Sequence, residues 1–166
     1  GTSRPGVRTT RGDRPRATVV LDAIDKAIVR ELQADGRTPY AKLGPAVGLS
    51  QAAVRQRVQR LIDSGVMQVV AVTDPLTLGF TLQAMIGLVV EGDLRATAEQ
   101  LAAIDRVEYV VVTAGRYDIL VEVVADGNVD LLEFLNDSVR TLPGVRHAEV
   151  FTYLHLQKQT YSWGTR

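Results

Sequence analysis

The sequence predicts an α+β chain, in which an N-terminal winged helix-turn-helix module precedes a C-terminal ferredoxin-like βαββαβ module. Three short helical patterns precede residue 66, and the third is rich in Arg and Gln. Beyond residue 80, β-forming runs and helical patterns follow in the order βαββαβ. Residues 1–79 hold 12 Lys and Arg against 7 Asp and Glu, whereas residues 80–166 hold 7 against 12. This asymmetry indicates two modules with different partners, the first of which suits a polyanion.

The composition limits the class of protein. A hydrophobic content of 46% supports a buried core, and no stretch reaches the roughly 20 apolar residues of a membrane span. The chain has no cysteine, which excludes disulfides and thiolate metal sites. Because the sequence also starts with polar and basic residues instead of a signal peptide, we expect a cytoplasmic protein.

The first two helices are predicted from apolar spacing and from the residues at their ends. The first covers residues 21–34, where Asp22 and Asp25 suit the positive end of the helix dipole. The second should begin with Thr38 as N-cap and Pro39 at the first helical position.

Two further segments shape this module. Gly44-Pro45 lies inside the second helix, and since proline removes a helical hydrogen bond, we expect that helix to be shortened, kinked or partly 3₁₀. Residues 66–72, after the third helix, form a β-rich run that predicts a strand and a small wing.

The third helix, over residues 51–64 with Ser50 as N-cap and Gly65 as the C′ residue, is the candidate DNA-reading element. Its apolar stripe consists of Val54, Val58 and Leu61. Arg can pair bidentately with guanine and Gln with adenine, and each good pair contributes about 1–3 kcal/mol of discrimination. We expect base contacts from Gln51, Ala52, Arg55 and Gln56. Phosphate contacts are expected from Arg57, Arg60 and the amide end of the helix at Ser50.

Two alternatives stand beside this interpretation. The Arg and Gln side chains could form an ordinary solvated helix face. Arg57 could form a structural ion pair, either with Asp63 or with an acid of the first helix.

The second module is predicted from its alternation of strand and helix patterns. Strands are expected over residues 81–90, 107–114, 117–125 and 145–157, and helices over 94–104 and 129–141. The inward positions of the first of these helices are Leu94, Ala98, Leu101 and Ala102, and the apolar positions of the second are Leu131, Leu132, Leu135 and Val139. Gly115-Arg116 predicts a two-residue type II′ hairpin. Both helices should cover one face of an antiparallel sheet, and the apolar character of the other face predicts a dimer through the sheets.

Motifs in both modules carry a resemblance to a known family. In the first module they are Leu21-Asp22-x-x-Asp25, Leu32-Gln33-x-Asp35-Gly36-Arg37, Gly48-Leu49-Ser50, Arg57-Val58-x-Arg60-Leu61 and Gly65-Val66. In the second they are Ala114-Gly115-Arg116-Tyr117-Asp118 and Leu142-Pro143-Gly144-Val145. Over about residues 21–158 the chain resembles the leucine-responsive regulatory protein/asparagine regulator (Lrp/AsnC) family of transcription regulators. It departs from that family at Gly44-Pro45, at Met67-Gln68-Val69 in the wing, and in its long arginine-rich N-terminal segment.

The resemblance implies a winged helix-turn-helix joined to a regulation-of-amino-acid-metabolism (RAM) domain. It also implies homodimers that assemble into tetramers or octamers and respond to a free amino acid. The expected domains are a disordered basic tail over 1–18, a DNA-binding domain over 19–74 and a linker over 75–79. An effector and oligomerisation domain over 80–158 and a tail over 159–166 follow. The basic tail could touch DNA, although an idle tail is the favoured interpretation.

The candidate effector site is Gly115, Arg116, Tyr117 and Asp118. Free amides of a tight hairpin could hold a carboxylate and the Asp118 carboxylate could hold an ammonium, which together would recognise a free amino acid. The resemblance implies an effector at this turn between neighbouring dimers. The alternative is that Gly115 only closes the hairpin and Asp118 only caps it.

The chain shows no signature of an enzyme, a cofactor site or a metal site. His147 and His155 stand alone, and no phosphate loop or nucleophile–base pair is visible. The leading hypothesis is therefore a sequence-specific transcription regulator that binds double-stranded DNA and responds to an amino acid. The alternative is an architectural, nucleoid-type DNA-binding protein without a small-molecule effector.

Overall fold

The structure, a computed structural model, describes residues 19–159. The contacts divide the described chain after Val72, and Thr73–Gln157 form the second unit. The predicted tails over 1–18 and 159–166 lie outside the described residues, apart from Gln159. None of the helices in the described part of the chain is long and apolar enough to cross a membrane.

The first unit contains three helices, α1 (Ala23–Ala34), α2 (Tyr40–Val47) and α3 (Gln51–Asp63). They enclose a small apolar core made of Ile28, Val29, Leu43, Val54, Val58 and Leu61. The three-helix prediction is confirmed, and the apolar stripe predicted for the third helix is buried as expected. The core is small, so contacts at the ends of the helices also help to set how the helices are oriented.

The starts of α1 and α2 differ from the prediction. Helix α1 begins two residues later than expected, since Asp22 is its N-cap and accepts a hydrogen bond from the Asp25 amide at 2.7 Å. The predicted cap of α2 is wrong: Pro39 occupies the N-cap position, and the Thr38 hydroxyl instead donates to the Asp35 carbonyl at 2.8 Å.

Helix α2 remains α-helical through its internal proline and is eight residues long. Pro45 lacks only the amide that would bond to the Ala41 carbonyl, and Ala41 is an exposed residue. The proline is therefore tolerated without a 3₁₀ segment.

The strand predicted for residues 66–72 is wrong, and with it the wing. These residues have no regular secondary structure, and the side chains of Val69, Val70 and Val72 are at least half exposed. A β-forming run becomes a strand only when a second strand pairs with its amides and carbonyls. Among residues 19–159, no other segment pairs with this one.

The second unit has the βαββαβ order that the sequence predicts. Its elements are β1 (Leu82–Val90), α4 (Leu94–Ala102), β2 (Val107–Val112), β3 (Ile119–Ala125), α5 (Asn128–Phe134) with a π-helical continuation over Leu135–Val139, and β4 (Val145–Thr152). The strands form one antiparallel sheet in the order β2-β3-β1-β4. This order is that of a ferredoxin-like fold.

Alternate side chains of the two central strands face the helices. From β1 these are Leu82, Ala84, Ile86, Leu88 and Val90, all at most 8% exposed. They pack with Leu101, Leu131, Phe134 and Val139, which lie in the two helical segments. This face of the sheet is therefore the core of the unit, and the opposite face is left for other contacts.

The structure corrects the prediction at Ala102, which is exposed instead of facing inward, and at the end of β4. In the last helix Leu132 is exposed, because the buried side runs through Leu131, Phe134 and Val139. Strand β4 ends at Thr152, not at residue 157. Its partner β1 starts at Leu82, so residues beyond 154 run past the end of β1 and have no strand to pair with.

Candidate nucleic-acid interface and candidate effector loop

Helix α3 presents the side chains that the sequence assigns to DNA bases. Gln51, Ala52, Arg55 and Gln56 are all exposed, on the side away from the buried stripe. The Ser50 hydroxyl accepts a hydrogen bond from the Ala53 amide at 3.2 Å and so begins the helix as predicted. The geometry is that of a helix with an apolar back and a polar front.

The turn between α2 and α3 depends on two glycines. The Leu49 amide donates to the Gly44 carbonyl at 2.9 Å, and Gly48 ends α2 with a φ of 74°. A Cβ at Gly44 would lie 2.6 Å from the Leu49 carbonyl oxygen. A glycine is therefore required at position 44, because its lack of a Cβ lets the turn before α3 pass close to α2.

Arg57 and Arg60 point to α1 and form ion pairs with its acids. Arg57 Nη1 lies 2.7 Å from Asp22 Oδ2 and 2.8 Å from Asp25 Oδ1. Arg60 Nη2 lies 2.6 Å from both carboxylate oxygens of Asp25. Of the two alternatives considered for Arg57, the structure contains the pair with acids at the start of the first helix; Asp63 accepts instead from Gln59 at 2.8 Å.

The charges of this cluster affect the ionisation of its members. The Asp25 amide, followed by the Arg57 guanidinium, holds the pKa of Asp22 below its ordinary value of 3.8. The hydrogen bonds to Asp22 and Asp25 raise the pKa of Arg57. The four residues that form the ion pairs carry two positive and two negative charges, so their cluster is electrically neutral.

Arg55 has a different environment. Its guanidinium carbon lies 5.8 Å from the centre of the Tyr40 ring, and it pairs with no carboxylate among the described residues. Tyr40 was not among the predicted site residues. An aromatic residue at the start of the helix before a recognition helix is the signal that could have indicated it.

The candidate effector loop is wider than predicted. The Thr113 amide donates to the Asp118 carbonyl at 2.8 Å, which leaves a four-residue loop over 114–117. The type II′ hairpin is therefore wrong. Gly115 has a φ of 157°, whereas the first central position of a type II′ turn needs a φ near +60°.

The loop combines exposed amides with a partly used carboxylate. Ala114, Gly115 and Arg116 are exposed, and among residues 19–159 no group accepts from the amides over 114–117. Asp118 Oδ2 accepts from the Val90 amide at 2.8 Å, so the carboxylate ties the loop to β1 where the β1–β4 register shifts. Its other oxygen has no hydrogen-bond partner in the described chain.

Tyr117 fixes the loop on the sheet face opposite the helices. Its ring covers Gly87 so closely that a Cβ there would lie 2.7 Å from Cγ of the ring. The ring meets Phe151 edge-on, with centroids 5.9 Å apart, and the Arg116 guanidinium lies 5.6 Å from it. The Tyr117 hydroxyl is buried without a partner among the described residues. An isolated glycine in a β-rich run is the sequence signal for such an approach.

The same sheet face carries a small polar network. The Glu122 carboxylate accepts from the side-chain Nε2 of Gln83 at 2.8 Å and from the Tyr153 hydroxyl at 3.0 Å. Burial, followed by the nearby Glu122 carboxylate, raises the pKa of Tyr153 to about 12. Sequence reasoning did not identify this network, because its members lie in β1, in β3 and just after the end of β4.

The two histidines are exposed, as the sequence interpretation allowed. His155 Nε2 lies 3.2 Å from the side-chain oxygen of Gln157. In the described part of the chain, no three His, Cys, Asp or Glu side chains come together as metal ligands would.

Comparison with known proteins identifies both modules. Residues 21–62 match the AsnC-type helix-turn-helix domain, and residues 80–166 match a C-terminal dimeric alpha+beta barrel domain of AsnC-type transcription regulators. The chain is 33% identical to the HTH-type transcriptional regulator FL11 of Pyrococcus horikoshii, over 86% of this chain and 95% of that one.

Two solved structures extend the comparison. The Mycobacterium tuberculosis leucine response regulatory protein LrpA is 30% identical, with a TM-score of 0.79 over 87% of this chain and all of its own. A transcriptional regulator from Neisseria meningitidis, solved as its complex with L-Met, is 26% identical, with a TM-score of 0.77 over 87% and 96% of the two chains. The chain, with its DNA-binding helix-turn-helix and dimeric C-terminal domain, belongs to the Lrp/AsnC family of transcription regulators.

Proposed function

We propose that this transcription regulator reads a specific DNA sequence through α3 and that a free amino acid controls its DNA binding and assembly. The observation that carries the proposal is the exposed polar front of α3 over the buried stripe of the same helix. A helix with these two faces can pack on its own domain while it lies in the major groove.

Base contacts are assigned to Gln51, Ala52, Arg55 and Gln56. Gln can form two hydrogen bonds to adenine, Arg can form two to guanine, and Ala can contact a thymine methyl. The Tyr40 ring beside Arg55 limits the rotation of the guanidinium and so supports a directed contact. The amides of the first turn, at Ser50, suit a phosphate because they point out of a helix N-terminus.

The phosphate contacts assigned to Arg57 and Arg60 remain a prediction. Both guanidinium groups are within 2.8 Å of carboxylate oxygens, as described above. A phosphate would have to compete with those acids.

The DNA proposal is tested by selecting duplexes from a random library with the full-chain protein. Replacing Arg55 by Ala should relax base preference at one position of the selected sequence, by about 1–3 kcal/mol. Gln59→Ala is the matched control, because Gln59 is exposed on the same helix and bonds to Asp63. Unchanged selection and footprints with Arg55→Ala would contradict the assignment.

The effector is assigned to Gly115, Arg116, Tyr117 and Asp118. Amides that donate to nothing else in the described chain support binding of the amino-acid carboxylate. The oxygen of Asp118 that does not bond to Val90 supports binding of the ammonium. The Neisseria relative that is solved with L-Met supports an amino acid as the class of ligand.

Calorimetry and thermal shift with the twenty amino acids test this assignment. We expect at least one to bind wild type and Asp118→Asn to lose that binding. The asparagine side chain can still accept from the Val90 amide but lacks the charge, so its melting temperature should stay close to that of wild type. Equal binding by Asp118→Asn, or no binding to wild type, would remove the effector claim.

We further propose that dimers assemble into tetramers or octamers and that the amino acid shifts this assembly. The match to a dimeric domain supports the dimer, and the sheet face with Tyr117 and Phe151 is the surface that suits a second copy. Light scattering with and without the bound amino acid measures the shift. If the protein forms DNA-bending multimers that no amino acid changes, the architectural alternative replaces this part of the proposal.

A further inference from the structure

The cluster that joins α3 to α1 contains one carboxylate that water hardly reaches. Asp25 is 1% exposed, whereas Arg57 and Arg60 are 27% and 54% exposed at their side chains. Both arginines reach the same buried acid from positions three residues apart, which lie on one side of a helix. The recognition helix is therefore fixed to the first helix by directional contacts as well as by apolar packing.

We propose that Asp25 is a positioning residue: through Arg57 and Arg60 it sets the orientation of α3, and these two arginines do not serve as phosphate contacts. The inference rests on the proposed reading of DNA by α3. It replaces the phosphate role that the sequence predicts for the two residues.

The burial of Asp25 is the first reason. A buried carboxylate is costly unless cations and hydrogen-bond donors surround it. Arg60 Nη2 lies 2.6 Å from both of its oxygens and Arg57 Nη1 lies 2.8 Å from one. If either guanidinium moved to a phosphate, the buried Asp25 carboxylate would lose a partner. The ion pairs therefore disfavour movement of either arginine toward DNA.

The kind of contact is the second reason. The buried stripe of Val54, Val58 and Leu61 is apolar, and hydrophobic contact has little directional preference. Each arginine places one guanidinium nitrogen on two carboxylate oxygens, and such charge-assisted hydrogen bonds fix direction as well as distance. The ion pairs thus define which side chains α3 presents to the bases.

The charge balance of these arginines has a consequence that can be measured, the salt dependence of DNA affinity. Arg57 and Arg60 are neutralised by Asp22 and Asp25, whereas Arg55 pairs with no carboxylate in the described chain. Each phosphate that a cation neutralises adds about 0.9 to the slope of log affinity against log salt. Arg57 and Arg60 should therefore add nothing to that slope, whereas Arg55, which is assigned to a base, should affect selectivity.

The experiment measures the affinity of full-chain wild type, Arg55→Gln and Arg60→Gln across salt concentrations. The probes are a duplex selected from a random library by wild type and a scrambled duplex of equal length. Arg55→Gln should reduce the preference for the selected duplex, as the loss of a base contact does. Arg60→Gln should leave the slope unchanged and reduce the preference for the selected duplex. A slope reduction of about one per bound protomer with Arg60→Gln, which is what the loss of a phosphate contact gives, would overturn the inference.

Two further variants keep the test informative if Arg60→Gln folds poorly, which circular dichroism reports. Arg60→Lys keeps the charge but ends one bond short of the position of Nη2, so a positioning role predicts lower selectivity at an unchanged slope. A phosphate contact predicts near wild-type behaviour instead. Asp25→Asn should lower selectivity if Asp25 positions the helix; a gain in affinity for both duplexes would show that it only restrains two phosphate-binding arginines.

Failure of the proposed function looks different. If wild type does not distinguish the selected duplex from the scrambled one, sequence reading by α3 falls and the inference falls with it. If wild type and Arg55→Gln behave as expected and Arg60 variants follow the phosphate pattern, only the positioning role of Asp25 is lost.

Discussion

The contact between Gly87 and Tyr117 predicts that Gly87→Ala destabilises wild type but stabilises a variant that lacks the Tyr117 ring. An added Cβ at Gly87 would lie 2.7–2.8 Å from Cγ, Cδ1 and Cδ2 of the ring, its three nearest atoms. Favourable carbon contacts lie near 3.5–4.0 Å, so the ring would have to withdraw by about 1 Å. The base of an aromatic ring cannot yield in the way that the end of a flexible side chain can.

We expect Gly87→Ala to lower the free energy of unfolding by about 1–3 kcal/mol, the usual cost of overpacking a filled site. In a Tyr117→Ala background the same change should raise it by about 0.5–1 kcal/mol, because alanine restricts a strand better than glycine does. The difference between the two backgrounds is a coupling of about 1.5–4 kcal/mol, well above the error of a double-mutant cycle.

Denaturant unfolding of the four proteins at one fixed protomer concentration measures this coupling, since dimer formation adds to apparent stability. An equal cost of Gly87→Ala in both backgrounds would refute the steric argument. It would mean that Gly87 matters for another contact on that sheet face.

Three further predictions concern single groups. Gly44→Ala should destabilise the helix-turn-helix by about 1–3 kcal/mol in thermal unfolding, because the added Cβ would meet the backbone of the turn. Gly36→Ala is the control and should be tolerated, because the nearest atom to its added Cβ lies at an ordinary contact distance of 3.6 Å. The pKa of Asp22 is lowered in the folded state, so the stability that its carboxylate contributes is complete above about pH 4 and is lost as pH falls through the folded pKa. Acid titration should therefore show a smaller loss of stability for Asp22→Asn than for wild type. The pKa of Tyr153 is raised to about 12 in the folded state, so the stability that its protonated hydroxyl contributes is complete below about pH 10 and is lost as pH rises through about 12. Ultraviolet titration should show one tyrosine that ionises only near that pH. Tyr153→Phe should remove this signal, and Glu122→Gln should shift it to lower pH.

The elements that depend on local pattern could be predicted from the sequence. The three helices, the βαββαβ order and the exposed front of α3 follow from periodicity, which the chain carries within short windows. The outward direction of Arg55 and Gln56 needs only the helical repeat and the knowledge that Val54 and Val58 are buried. These features were therefore found correctly.

Features that depend on a distant partner could not be predicted in this way. Residues 66–72 have the composition of a strand but lack a second strand among the described residues. The loop over 114–117 is wider than a two-residue turn because Asp118 bonds to β1, which is far away in sequence. The contact of Tyr117 with Gly87 joins two strands. In each case the deciding atom lies outside the local window.

The charged groups illustrate the same limit with a consequence for function. Sequence alone treats the guanidinium groups of Arg57 and Arg60 and the Asp118 carboxylate as available to a ligand, yet the fold engages all three. Asp118 retains one oxygen, which suffices for an ammonium but gives little choice between amino acids, because every free amino acid carries that group. Discrimination must then come from what surrounds the side chain of the ligand. Arg116 and the Tyr117 ring lie beside the loop amides, and the ring also rests on the sheet face that suits a second copy. If the proposed amino acid binds at this loop, it contacts the Tyr117 ring, and that ring lies on the sheet face proposed for the second copy. The proposal thus gives ligand identity a direct route to assembly.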